Sequence, residues 1–182
     1  WEKRIDIFSS EQPGGLMTRL MGQNMMRCDG EAHQTQRRAM QPAVSPRTVA
    51  RHWREAFRSA AAAILDDLAP RGRADLWTDY AMPLSGEALR LITGLDSVTA
   101  AEMDAHSQAM IDGISNYAGD AATEARCLAA VGTLDTAIDR KLEEGAACPP
   151  DANTLEGLSV IAVLQRAGAP REQILANTRL VI

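Results

Sequence analysis

From residue 30 onward, apolar residues recur at intervals of three and four, with few runs of alternating polarity. That period constrains the fold more than any other feature, because it gathers side chains on one face of a helix, whereas a strand alternates every second residue. The expectation is a mainly α fold with at most short strands. A chain of 182 residues is long enough to bury a core and close to the size of one domain. The boundary signals fall in order along it. A helix is expected over 31–41 with Asp29 as its N-cap, closed by Pro42. Ser45-Pro46 restarts a helix as a cap followed by proline at the first helical position. Its apolar stripe is Val49, Trp53, Ala56, Phe57, Ala60, Ile64 and Leu68, which leaves much of the arginine on the wet side. A short strand or extended piece is expected over 73–76, then a helix over 84–93 stopped by Gly94. Thr99-Ala100-Ala101-Glu102 reads as a capping box, followed by a face of Met103, His106, Met110, Ile114 and Tyr117. A helix from Thr123 carries Leu128, Val131, Leu134, Ile138 and Leu142. The segment 145–153 reads as an exposed loop, and helices follow over 155–167 and from 171 onward. No internal repeat of solenoid period is present.

The formal net charge is -5, which argues against general nucleic-acid affinity, since counterion displacement needs a basic surplus. The charge is uneven, however. Arg37, Arg38, Arg47, Arg51, Arg54 and Arg58 face a single acid, Glu55, within 37–58, so one local basic face is expected, suited to an acidic partner. No apolar run of about 18 residues is available to span a bilayer, and no signal-peptide pattern is visible. Cys28, Cys127 and Cys148 form no CxxC or Cys/His cluster, which points to a reducing cytoplasm and against a disulfide framework. His33, His52 and His106 are too widely separated for a usual metal site. The chain begins with Trp1, and its last stretch is a helical pattern that stops on apolar residues. Residues 1–182 are therefore expected to be one incomplete domain of a longer protein.

The chemistry concentrates in Asp29-Gly30-Glu31-Ala32-His33-Gln34-Thr35-Gln36-Arg37-Arg38. An imidazole and a guanidinium four residues apart share one helix face. Together they suit an anion with paired carboxylates or phosphates, which Arg37 can engage with a forked pair of hydrogen bonds. A solvated polar face is the competing reading. Upstream, Pro13-Gly14-Gly15 leads into Leu16, Met17, Leu20, Met21, Met25 and Met26, a methionine-rich, poorly periodic segment. Methionines adapt to irregular apolar shapes, so this segment reads as a lid or wall of a small-molecule pocket, or else as core filling under a long loop.

Phe8-Ser9-Ser10, the block from Met25 to Arg38, and Pro42-Ala43-Val44-Ser45-Pro46 resemble the cytochrome P450 superfamily in its soluble bacterial form. The middle block carries the most specific likeness: an acidic residue, a small one, a His, and an Arg four residues later. The order of helices that follows is similar as well. The resemblance implies the N-terminal portion of the cytochrome P450 fold, ending at the start of the family's central helix. It implies haem (heme) as cofactor, with His33 and Arg37 binding the propionates. It makes Leu16, Met17, Met25 and Met26 substrate-pocket candidates. Arg38, Arg47 and Arg51 become candidates for docking a ferredoxin or similar acidic electron donor. The turn at 116–121 is similar to the family's mobile connection between two lid helices. The whole enzyme would be a cytoplasmic monooxygenase, inserting one oxygen atom from dioxygen into an apolar small molecule. Departures from the family pattern are equally plain. None of the three cysteines has the context of the axial ligand, and the acid–threonine and Glu-x-x-Arg motifs are missing, so the ligand is expected outside this chain and the fragment alone is expected to be inactive. Val44 stands where many relatives carry Phe. An all-helical ligand-sensing or protein-interaction domain is the alternative reading, and it gives no reason for His33 and Arg37 to share a face.

Overall fold

The computed structural model describes residues 4–182, and among these there is no strand. The helices are α1 (Leu16–Met21), α2 (Gly30–Val44), α3 (Pro46–Thr48), α4 (Arg54–Leu68), α5 (Met82–Thr93), α6 (Ala100–Ile114), α7 (Ala121–Ala147), α8 (Val160–Arg166) and α9 (Arg171–Val181). A π-helical turn over Val49–Trp53 joins α3 to α4, and a second, Leu76–Ala81, leads into α5. The long helix α6 packs against both chain neighbours, α5 and α7, while α8 packs on α2 and α7, and α1 lies against α6, α7 and α9. Met103, Met110, Leu134, Ile138, Ile161 and Leu164 fill the centre. Burying an aliphatic side chain of this size stabilises the fold by roughly 1.5–3 kcal/mol. Helix α8 is apolar all round, and Val160 to Leu164 are all buried, as expected for a helix with neighbours on every side.

Several helix ends follow from local chemistry. The Ser45 hydroxyl accepts from the Thr48 amide at 3.1 Å, as the Ser-Pro start predicts. The Thr99–Glu102 capping box forms with both of its bonds. Gly94 closes α5 in the left-handed conformation, at φ 86°, and its N–H reaches the Arg90 carbonyl. Gly86 is small for a different reason. A Cβ there would run into the Ala100 carbonyl at the start of α6, so the two helices meet backbone to backbone.

Other boundaries differ from expectation. Helix α2 continues through Pro42 to Val44. Proline removes its own N–H and crowds the preceding turn, but the fully buried Ala43 offers its carbonyl to Trp53 Nε1 at 2.7 Å, which holds the last turn in place. Residues 73–75 form no strand, and the π-helical turn that follows means α5 begins at Met82, ahead of Pro83. Tyr117 lies beyond the end of α6 and is 88% exposed, so it leaves the predicted face. Helix α7 starts at Ala121, capped by Asp120, and runs through Gly145 to Ala147. Its buried stripe contains Cys127 in place of Leu128, because Cys127 sits against Gly113 of α6, where a larger side chain has no room. Helix α8 is shorter than expected, since 151–159 form turns. Those turns bring Glu156 to the Lys141 ammonium at 2.8 Å, while Asp96 reaches it at 2.9 Å. Burial alone would lower that amine's pKa. The bonds to Glu156 and Asp96 outweigh it and hold the group above the usual lysine range.

Candidate functional site

His33 lies in the first turns of α2, half-buried, with Nδ1 2.8 Å from the Met25 carbonyl oxygen. A carbonyl can only accept, so Nδ1 carries the hydrogen and Nε2 is the nitrogen left for a ligand. Arg37 follows one turn later on the same face. It is exposed, and its guanidinium has no hydrogen-bond or ion-pair partner among the described residues. Beside it opens a cleft of about 380 Å³ lined by Met25, Gln34, Arg37, Arg38, Met40 and Ser45, among others. Met25 thus connects the pair: it lines the cleft next to Arg37, and its carbonyl holds His33. Asp29 occupies the cap position but makes no side-chain bond to its own helix. Its carboxylate accepts instead from Ser9 Oγ at 2.6 Å, Ser10 Oγ at 2.7 Å and the Ser10 amide at 3.0 Å. Those serine bonds hold the carboxyl below its usual range and tether the N-terminal segment to the start of α2.

The four methionine-segment candidates do not converge. Leu16 packs against the core. Met17 lines a separate, mostly apolar cavity of about 240 Å³ with Met21, Asn24, Met110, Ile114 and Ile182. Met25 lines the cleft by Arg37, and Met26 is 54% exposed. Of the arginines, Arg38 is exposed and donates to Gln34 Oε1 at 3.4 Å. Arg47 and Arg51 are exposed with no partner among the described residues, and so are Arg54 and Arg58 further along.

Sequence reasoning missed the residues that hold this region together. Asn177 of α9 is fully buried. Its Oδ1 accepts from the Met25 amide at 2.9 Å, and its Nδ2 donates to Gln36 Oε1 at 2.9 Å and the Gln173 carbonyl at 3.0 Å. Two residues on, Arg179 is 9% exposed and makes a forked pair of bonds to Asp135 of α7, at 2.8 and 2.7 Å. Its remaining nitrogen donates to the Met21 carbonyl at 2.9 Å. Asn24 is also fully buried, with Oδ1 accepting from the Met26 amide and Nδ2 unpartnered among the described residues. Polar residues inside an apolar pattern were the only signal available.

The two buried cysteines offer no thiolate. Cys28 and Cys127 are buried, and burial pushes both thiols up. Cys28 Sγ donates to the Met25 carbonyl at 3.4 Å, while Cys148 is exposed at the end of α7. Among the described residues no group of three His, Cys, Asp or Glu side chains could hold a metal ion, and no helix is long and apolar enough to cross a membrane.

No protein-family profile matches the chain. Its fold is nonetheless that of solved bacterial structures. It is similar to the myxobacterial cytochrome P450 CYP267B1, solved in complex with myristic acid, with a TM-score of 0.70 and 20% identity over 98% of this chain and 42% of that one. Cytochrome P450 260B1 of Sorangium cellulosum So Ce56 gives 0.68 and 22% over 90% and 42%. CalO2 gives 0.66 and 23% over 91% and 41%. The arrangement of helices is thus a P450-like fold, and the chain spans about two fifths of the length of the structures it matches.

Proposed function

We propose that this chain is part of a single larger domain, a haem-dependent monooxygenase in which His33 and Arg37 anchor the haem propionates. The observation that carries this reading is the donor pair itself. The His33 Nδ1–H is committed to the Met25 carbonyl, so Nε2 faces the ligand and, as Nε2–H of the protonated ring, donates to a carboxylate, while one turn away an unpaired guanidinium borders a cleft. The fit to haem is good at one end only. Donors for carboxylates are present at the required spacing, whereas the two buried thiols are held protonated, so a thiolate to hold the haem would come from neither of them. Haem bound through a thiolate would supply the dioxygen chemistry. This chain's own residues would do the rest. His33 and Arg37 would fix the edge of the cofactor, and the cavity bordered by Met17 and Met21 would take an apolar substrate and exclude water. Arg38, Arg47 and Arg51 would steer an acidic, ferredoxin-like donor to the adjoining surface, raising the rate of encounter more than the affinity. A cytoplasmic location suits such a partner. The likeness of fold favours this reading over an all-helical sensor domain.

The test is haem retention in the full-length protein. A charge-assisted hydrogen bond is worth about 1.5–3 kcal/mol, so His33→Ala and Arg37→Ala should each weaken haem binding by roughly ten- to a hundredfold. Transfer of haem to excess apomyoglobin reads this directly. Transfer rates unchanged in both variants would remove the anchor role.

A further inference from the structure

We infer that Asn177 is a positioning residue for His33, acting through the Met25 backbone. The Asn177 Oδ1 accepts from the Met25 amide, and the carbonyl of the same residue accepts from His33 Nδ1. An amide group on α9 and an imidazole on α2 are thus joined by one residue's backbone. The relay has a second strand, because Asn177 Nδ2 donates to Gln36, the residue next to Arg37. With Oδ1 on Met25 and Nδ2 shared between Gln36 and Gln173, no part of this fully buried amide is spare, and neither end can be flipped without losing a bond. The Met25 carbonyl belongs to the peptide group it shares with the Met26 amide, which Asn24 Oδ1 holds, so Asn177 acts from the other side of the Met25 Cα by fixing that residue's N–H. Among the described residues the side chain bonded to the Met25 amide is Asn177.

The consequence is chemical as well as geometric. A held carbonyl keeps the hydrogen on His33 Nδ1 and aims Nε2 at the ligand face, where the protonated ring donates Nε2–H to an anion. A loose carbonyl lets the ring exchange tautomers and rotate. Metal-site chemistry offers the parallel case, in which an outer partner sets which imidazole nitrogen is free and its loss weakens binding. The inference rests on His33 being an anion anchor, but its primary readout does not require haem.

Long-range proton–nitrogen couplings in the ¹⁵N-labelled protein, in mildly alkaline solution where imidazole is neutral, report the His33 tautomer. The wild-type ring should be the Nδ1–H form. Asn177→Leu removes the acceptor for the Met25 amide and should give mixed tautomers. Asn177→Asp keeps that acceptor while giving up both Nδ2 bonds, and a folded variant should retain the Nδ1–H ring, which a merely structural role would not predict. An Nε2–H ring in the wild-type protein overturns the inference, and so does a folded Asn177→Leu variant with an unchanged tautomer. If the Leu variant does not fold, Asn177→Ser, whose hydroxyl stops short of Met25, is held to the same outcomes. In the haem-loaded full-length protein, Asn177→Leu should speed haem transfer about tenfold. It should add nothing in a His33→Ala background, and additive effects there count against the relay. Unchanged haem retention in His33→Ala would end the anchor reading, while the tautomer would still decide the relay.

Discussion

Arg179 and Arg51 carry the same guanidinium in opposite settings. Arg179 is almost fully buried, with bonds to both Asp135 oxygens and to the Met21 carbonyl. Arg51 lies in the exposed row Arg47, Arg51, Arg54 and Arg58, where none has a partner among the described residues. The first is a structural element: its charge is matched, and its remaining donor pins the last residue of α1. The second is free to meet something else, and in water it holds little folding energy. Five of these arginines are indistinguishable as residue types, so the difference lies wholly in what the fold places against them.

The comparison breaks most sharply if Asp135 is removed. Asp135→Ala leaves the Arg179 charge buried without its carboxylate, which should cost about 3 kcal/mol of stability, read as a lower urea midpoint. Loss below about 0.5 kcal/mol would mean that Arg179 is no more integral than Arg51. A smaller effect is expected at Asp29, whose carboxyl is held below its usual range by Ser9 and Ser10. Because the folded pKa is the lower one, the tether is complete above the ordinary aspartate pKa of about 4 and is lost as pH falls through the depressed folded value. The Ser10 amide resonance should therefore move with the Asp29 carboxyl in an acid titration, and Asp29→Asn should abolish that step. Smallest of all is Arg51→Ala, expected to change stability by less than about 0.5 kcal/mol. It sharpens the contrast through a different readout: encounter with an acidic electron donor should become slower and less dependent on salt. A stability loss comparable with that of Asp135→Ala would erase the distinction.

Much of the helical frame could be read from periodicity and caps. Ser45, Thr99 and Gly94 act locally, so their bonds are legible from adjacent residues. The exceptions have tertiary causes. Helix α2 outlasts Pro42 because Trp53 holds the Ala43 carbonyl, and α7 buries Cys127 because Gly113 faces it. The candidate site divides the same way. The spacing of His33 and Arg37 sets a common face, whereas the Met25 carbonyl that selects one nitrogen of His33 lies outside any motif. Leu16, Met17, Met25 and Met26 form one compositional block yet border different spaces. Asn177 and Arg179 show only as polar residues in an apolar pattern, since their partners at Met25, Gln36, Asp135 and Met21 are distant in the chain.

That distance has a temporal side. The Arg179 bond to the Met21 carbonyl joins residues 158 positions apart, and the Asn177 bond to the Met25 amide joins residues 152 apart. During synthesis the chain emerges from its N-terminus, and helices such as α5, α6 and α7 can pack on near neighbours as soon as they appear. The methionine segment has to wait for α9. It is made well before α9, yet its hydrogen-bonded anchorage forms only after α9 has appeared.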